Sequence, residues 1–411
     1  MNVQASIVIC AALLLSSGYA QAGDVPRLPT PSGPFGIGRA GYDWTDTSRH
    51  DRFSSDPQAH RELMVYLWYP AARTAKEAHG AYLPGAKRMD MLPGVGKGMR
   101  ENYGDNWPLI LSGAVYSHAV DGAPVAKNPN KFPLVLFSHG LGSSGFGYTA
   151  LIENLVSHGY VVAAIDHTYT ADAVAFPDGR VIAFHRDPAP TGLSPEEGLK
   201  RMMASAGAEI TEGAADVRFV LTKLTELNGA DGHQFPFAGR LDLAEVAAMG
   251  HSAGAEFAAL ACILDARFKA CVDLDGAMYP VGALPVGPDD TTIQQPLLFL
   301  EVLHPESKMF GTHEEHMAFY KTKEEQLAHC PKGSYDVVLN PPGMMHGSYS
   351  DTFLFQMKNR PAELVAALHN LDLTQSYILA FLDKNLKHAS APLLDDPNSP
   401  HPDATIQHLG K

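Results

Sequence analysis

The chain has 411 residues, 45% of them hydrophobic and 18% charged, with 45 acidic against 31 basic side chains and a formal net charge of -14. That much apolar sequence supplies a large core and excludes a disordered or fibrous chain. The acidic balance disfavours a nucleic-acid partner, since phosphate recognition needs a basic surface, and disfavours anionic membranes by charge alone.

The first 22 residues read as an export leader. Ile7 to Leu15 is apolar but shorter than a spanning helix, and Ala20-Gln21-Ala22 has the small-x-small form that signal peptidase cuts. The mature chain is then expected to start near Gly23, and the protein to be secreted or periplasmic. Cys10 leaves with the leader. Cys262, Cys271 and Cys330 remain, so either Cys262 and Cys271, closest in sequence, form one bridge or all three are buried thiols.

Residues 23–57 are rich in Pro, Gly and polar side chains and read as irregular or short edge strands. Glu62–Tyr69 alternates as a strand, with Leu63, Val65, Leu67 and Tyr69 on one face. Residues 80–130 show no clean period and read as a long insertion or lid. From Phe132 the pattern is regular. Strands are expected at Pro133–Phe137, Tyr160–Ile165, Val246–Met249, Lys269–Leu274, Pro296–Val302 and Tyr335–Asn340. Helices are expected at Tyr148–Val156, Glu196–Leu227, Ala253–Ile263, His313–His329 and Thr374–Leu386, and a loose polar tail at 389–411. Buried strands alternating with helices mean parallel βαβ units in a three-layer α/β domain over 23–388.

The most specific motif is Gly250-His251-Ser252-Ala253-Gly254, placed between a predicted strand and a predicted helix. A G-x-S-x-G turn in that context holds the serine hydroxyl above the sheet edge and aims the helix N-terminus at it. A helix-capping serine in a Gly-rich turn would read the same in isolation. A serine nucleophile needs a base, and the base needs an orienting carboxylate, in the order Ser, acid, His along this type of chain. His346 fits the base, in the loop Pro341–Gly347 after the strand at Tyr335. His304, His329 and His369 sit in or beside regular elements. For the acid, Asp275 ends a strand before Gly276, Asp273 competes on the same face, and Glu301 would occupy the commoner position one strand later. Oxyanion donors are expected from the backbone N–H groups of Ala253, after the nucleophile, and of Leu141, in the Ser138–Gly142 turn.

Several stretches together resemble the plasma-type platelet-activating factor acetylhydrolases: Phe132–Gly142, Ser157–His167, Gly250–Gly254, Leu274–Pro280, and the His346 loop with Asp351–Phe353 behind it. The resemblance spans about residues 35–385. It implies a secreted bacterial member with an α/β-hydrolase fold carrying an N-terminal insertion. It also implies Ser252 as nucleophile, Asp275 rather than Glu301 as acid, His346 as base, Leu141 and Ala253 as oxyanion donors, and neither metal nor cofactor. Members of this family release short or oxidised acyl chains from phospholipids. The expected partner is therefore a small-molecule or lipid ester, with at most transient contact with a lipid surface. Ala253 stands where the vertebrate members carry a bulkier residue, which bears on the acyl pocket.

Other readings are weaker. His313 and His316 are spaced i, i+3, not as a zinc-helix pair, and read as a solvated face. Ala277–Gly287 could line an acyl pocket or fill core. A broader lipase, a polyester or dienelactone-type hydrolase, and an inactive binding module on the same fold remain as alternatives.

Overall fold

The computed structural model describes residues 25–72, 79–185, 192, 195–229, 235–276, 292–303, 321, 323–396 and 401–410. The expected leader, the Ala277–Gly287 segment, His304, His313 and His316 lie outside them.

Phe132–Ser138 (β4) and Val161–Asp166 (β5) are buried along their whole length. Continuous apolar runs of this kind form only where both faces of a sheet are covered. The two faces are packed by separate cores. Leu134, Leu136, Val161, Ala163 and Ile165 face one cluster, and Val135, Phe137, Val162 and Ala164 face the other, as a period of two requires. The first cluster also takes side chains from the helices Pro195–Gly229 (α5) and Ala253–Leu264 (α6). The second takes them from Thr149–Ser157 (α4) and Pro361–Leu386 (α8).

Among the described residues the main sheet has ten strands, and Ala173–Ala175 (β6) and Val181–Ala183 (β7) form a separate antiparallel pair. From the centre it runs through β4, Leu241–His251 (β8), Ala270–Leu274 (β9), Leu297–Val302 (β10) and Tyr335–Leu339 (β11), all parallel, to Ala404–His408 (β12), which is antiparallel. On the other side it passes from β5 to His60–Ala71 (β2), Gly36–His50 (β1) and the two-residue Val120–Asp121 (β3). Helices cover both faces of this mostly parallel sheet, so the chain has an α/β fold.

Two expectations need correction. Residues 36–50 form one long strand paired with β2, rather than irregular chain or short edge strands. Its glycines, which read as loop, lie beneath aromatic rings of β2. A Cβ at Gly38 would stand 2.2 Å from the Tyr69 ring, and one at Gly41 would stand 2.9 Å from Tyr66. The tail expected at 389–411 instead carries the short helix Pro392–Asp395 and the strand β12. The strand is half exposed; backbone pairing with β11 orders it, and Ala404 and Ile406 pack against the core at its margin. Residues 80–130 hold the helices Ala86–Asp90 (α1), Pro93–Tyr103 (α2) and Trp107–Leu111 (α3). Their Tyr82, Tyr103 and Trp107 are buried in the same core as Phe355, which belongs to the helix Asp351–Met357 (α7).

Cys262 and Cys271 form a disulfide that ties α6 to β9, and Cys330 is a buried thiol. Residues 323–328 are helical, the described end of the helix expected at His313–His329. Among the described residues no helix is long and apolar enough to cross a membrane.

Candidate active site

The strand β8 ends at His251 and α6 starts at Ala253, leaving Ser252 alone in the turn with φ 54° and ψ -126°. A positive φ on a residue with a side chain is strained and persists only where the surroundings enforce it. Here the glycines enforce it. A Cβ at Gly250 would lie 2.0 Å from the carbonyl oxygen of Gly254, and one at Gly254 would lie 2.3 Å from that of Ser138. Both positions admit no side chain, as the motif predicted. Ala253 is the first residue of α6, so its N–H has no acceptor within the helix and points with the helix dipole toward the turn.

Asp275 follows β9 directly, also at positive φ, 54°. Its Oδ1 accepts from the Val302 N–H at 3.1 Å, and its Oδ2 accepts from His346 Nδ1 at 2.6 Å. The side chain of Asp275 is 2% exposed and that of His346 48%, so the carboxylate is fixed in the protein while the ring reaches out to the cleft. His346 opens a single 3-10 turn, His346–Tyr349, which the Tyr349 hydroxyl anchors by donating to the Leu300 carbonyl at 2.9 Å.

The rival residues are engaged elsewhere. Glu301 pairs with Lys323. Asp273 accepts from the Gly276 N–H at 2.7 Å, and burial pushes its carboxyl up to about 7. His329 bonds its own helix, through the Glu325 carbonyl, and His369 pairs with Asp403 at the surface.

The Ser138–Gly142 turn lies across the cleft from His346. His139 is fully buried, and burial lowers its imidazole to about 3, so it is neutral. Its Nδ1 donates to the Gly140 carbonyl at 2.9 Å, and its Nε2 accepts from the His167 N–H at 3.2 Å, which stiffens the turn. Beneath it, His167 joins Ser138 to Oδ2 of Asp216 in α5, Arg61 donates to both oxygens of that carboxylate, and Arg49 donates to Oδ1. Burial raises the Asp216 carboxyl, but Arg61 and His167 together hold it well below the usual range.

Ser252, His346 and Leu141 line one cleft of about 220 Å³. Its walls include residues that sequence reasoning missed: Tyr148, His251, Asp172, and Asn102 and Tyr103 from the insertion. His251 was legible only as the variable position of the elbow, and Tyr148 only as a helix start. Among the described residues no three His, Cys, Asp or Glu side chains gather in a metal-binding group.

The sequence profile of the family described as "Platelet-activating factor acetylhydrolase, isoform II" matches residues 21–177 and 211–391. The chain belongs to this family. Its members' acetylhydrolase from Cavia porcellus is 30% identical over 302 residues, which is 67% of this chain and 62% of that one. A "probable 1-alkyl-2-acetylglycerophosphocholine esterase" from Arthroderma benhamiae is 29% identical over 209 residues, 44% of this chain and 47% of the relative. The matches thus span less than two thirds of the length of these curated relatives. The ferulic acid esterase from Streptomyces cinnamoneus has a similar fold, with a TM-score of 0.68, 27% identity, and coverage of 93% of this chain and all of that one. The acetylhydrolase-family chain is thus an α/β-hydrolase in fold, with the sheet order and elbow described above.

Proposed function

We propose that the protein is an exported serine esterase that releases short acyl chains from carboxylic esters, phospholipid esters included. The carrying observation is that His346, hydrogen-bonded to the buried Asp275, lines the same cleft as Ser252 on its strained turn. Ser252 Oγ attacks the ester carbonyl as His346 Nε2 takes its proton. Asp275 keeps the other ring proton on Nδ1 and stabilises the imidazolium. The N–H groups of Leu141 and Ala253 receive the oxyanion, where fixed donors act without reorganising. The alcohol leaves with the proton from His346, and water then releases the acid from the acyl-enzyme by the same steps in reverse.

The relatives named for acetyl-bearing phospholipids support a short acyl chain. So does the cleft of about 220 Å³, below the ~300 Å³ where drug-sized pockets begin. A second reading, an aromatic acyl group, rests on the likeness to the ferulic acid esterase. Export rests on the leader-like residues 1–22 and on the disulfide, a bond that persists in oxidising compartments.

The test is a Ser252→Ala variant beside the wild type, probed with a fluorophosphonate and with p-nitrophenyl acetate, p-nitrophenyl palmitate, methyl ferulate and a phospholipid bearing an sn-2 acetyl group. The expected result is labelling of Ser252, turnover lost by several orders of magnitude in the variant, and preference for the acetyl esters. A folded wild type that neither labels nor turns over any of these esters would be a binding module instead.

A further inference from the structure

The residue before the nucleophile makes a contact that the triad does not use. The His251 ring is 5% exposed and lies 4.6 Å from the His346 ring, centroid to centroid. Its Nε2 is 2.9 Å from the backbone carbonyl oxygen of His346, and its Nδ1 is 2.7 Å from the Tyr148 hydroxyl. That hydroxyl is in turn 3.2 Å from the backbone nitrogen of Gly140, next to Leu141.

Chemistry assigns every proton in this chain. A carbonyl only accepts, so His251 Nε2 carries the hydrogen. In a neutral imidazole Nδ1 then accepts, so the Tyr148 O–H donates to it. The phenol oxygen is left to accept from the Gly140 N–H. No link can be reversed without orphaning a buried group. Burial, and then the adjacent His346, lower the His251 imidazole to about 3, so this tautomer persists throughout the neutral range. A neutral ring also matters for its neighbour, because a second cation 4.6 Å from the His346 ring would oppose the imidazolium that forms when Ser252 gives up its proton.

We propose that Tyr148 and His251 are positioning residues for the reaction: a one-way hydrogen-bond relay, Gly140 to Tyr148 to His251 to the His346 carbonyl, that fixes the base loop and the oxyanion turn against the elbow. The three loops come from distant parts of the chain, and among the described residues no sheet hydrogen bond joins the His346 loop to the other two. The relay supplies that connection through the residue whose backbone leads into Ser252. A displacement of about 1 Å at such a site lowers the rate about a hundredfold without weakening substrate binding.

The inference rests on the serine-esterase reading, and its test separates the two. His251→Met removes both side-chain links at similar volume. His251→Gln keeps an Nε2 donor for the His346 carbonyl. Tyr148→Phe cuts the link to Gly140 and leaves the His251–His346 contact in place. Each is assayed with p-nitrophenyl acetate for kcat and KM, with fluorophosphonate labelling of Ser252 and a thermal melt. The expected outcome is kcat about 10- to 100-fold lower in His251→Met, with KM changed less than threefold. His251→Gln should recover most of that loss, and Tyr148→Phe should lie between. An active wild type whose His251→Met and Tyr148→Phe variants keep kcat within twofold would overturn the relay and leave the esterase reading intact. So would nitrogen NMR showing the His251 proton on Nδ1, a measurement that needs no activity. A wild type that neither labels nor turns over would instead reject the esterase, with the relay still judged by that spectrum.

Discussion

Substituting Asn for Asp275 separates the charge of the carboxylate from its shape. Oδ1 of the variant keeps its bond from the Val302 N–H, which turns the amide NH2 toward His346 Nδ1. That group only donates, so the ring must move its proton to Nε2, the atom needed to accept from Ser252. The lost electrostatic part can be sized. With Oδ2 and Nδ1 2.6 Å apart, the charge centres of carboxylate and imidazolium lie about 4 Å apart. At an effective dielectric of about 20 this is worth about 4 kcal/mol, or about a thousandfold in kcat. The tautomer shift adds to it. The expected outcome for Asp275→Asn on p-nitrophenyl acetate is a kcat at least about a thousandfold below wild type, with KM little changed and an unaltered far-UV spectrum. Glu301→Gln is the companion variant, and its kcat should stay within about threefold, because Lys323 occupies that carboxylate. The reverse pattern, Asp275→Asn within tenfold and Glu301→Gln a thousandfold down, would refute the reasoning and move the acid one strand along.

Gly250→Ala drives a methyl to within 2.0 Å of a backbone oxygen, so the elbow must open. Stability should fall by about 3 kcal/mol or more and fluorophosphonate labelling should slow, both measurable on one preparation. Replacing Cys262 and Cys271 together by Ala removes a cross-link between residues 9 apart, worth about 2–3 kcal/mol in a denaturant titration, while turnover at low temperature stays near wild type. Burial raises the Asp166 carboxyl from 3.8 to about 7. The stability this protonated carboxyl contributes is fully present below pH 3.8 and lost as pH rises through about 7. Asp166→Asn keeps an acceptor for the Gly145 N–H and does not titrate. Its melting temperature relative to wild type should therefore climb between pH 4 and 7, by the equivalent of up to about 4 kcal/mol. A difference independent of pH would contradict it.

The central strands were legible because burial on both faces writes itself as an unbroken apolar run, as in residues 132–137 and 161–165. The elbow was legible because two backbone approaches closer than 2.5 Å leave glycine as the only residue at 250 and 254. β1 was not, since its glycines accommodate rings from another strand, and composition cannot distinguish that from a loop. β12 was not, because it draws most of its order from a neighbour's backbone and its apolar contribution is only Ala404 and Ile406, too short a pattern to stand out in a polar tail. Spacing left Asp273, Asp275 and Glu301 open, and only the hydrogen bond to His346 distinguishes them geometrically. The Tyr148–His251 contact joins residues 103 apart in sequence, and no local pattern could announce it.

The terminal strand β12 also has a protective side. It caps Tyr335–Leu339, which pairs inward with the mostly apolar Leu297–Val302, and the opposite margin ends in only two residues of β3. A chain clipped before Ala404 would bare an unsatisfied hydrogen-bonding rim, an invitation to intermolecular pairing.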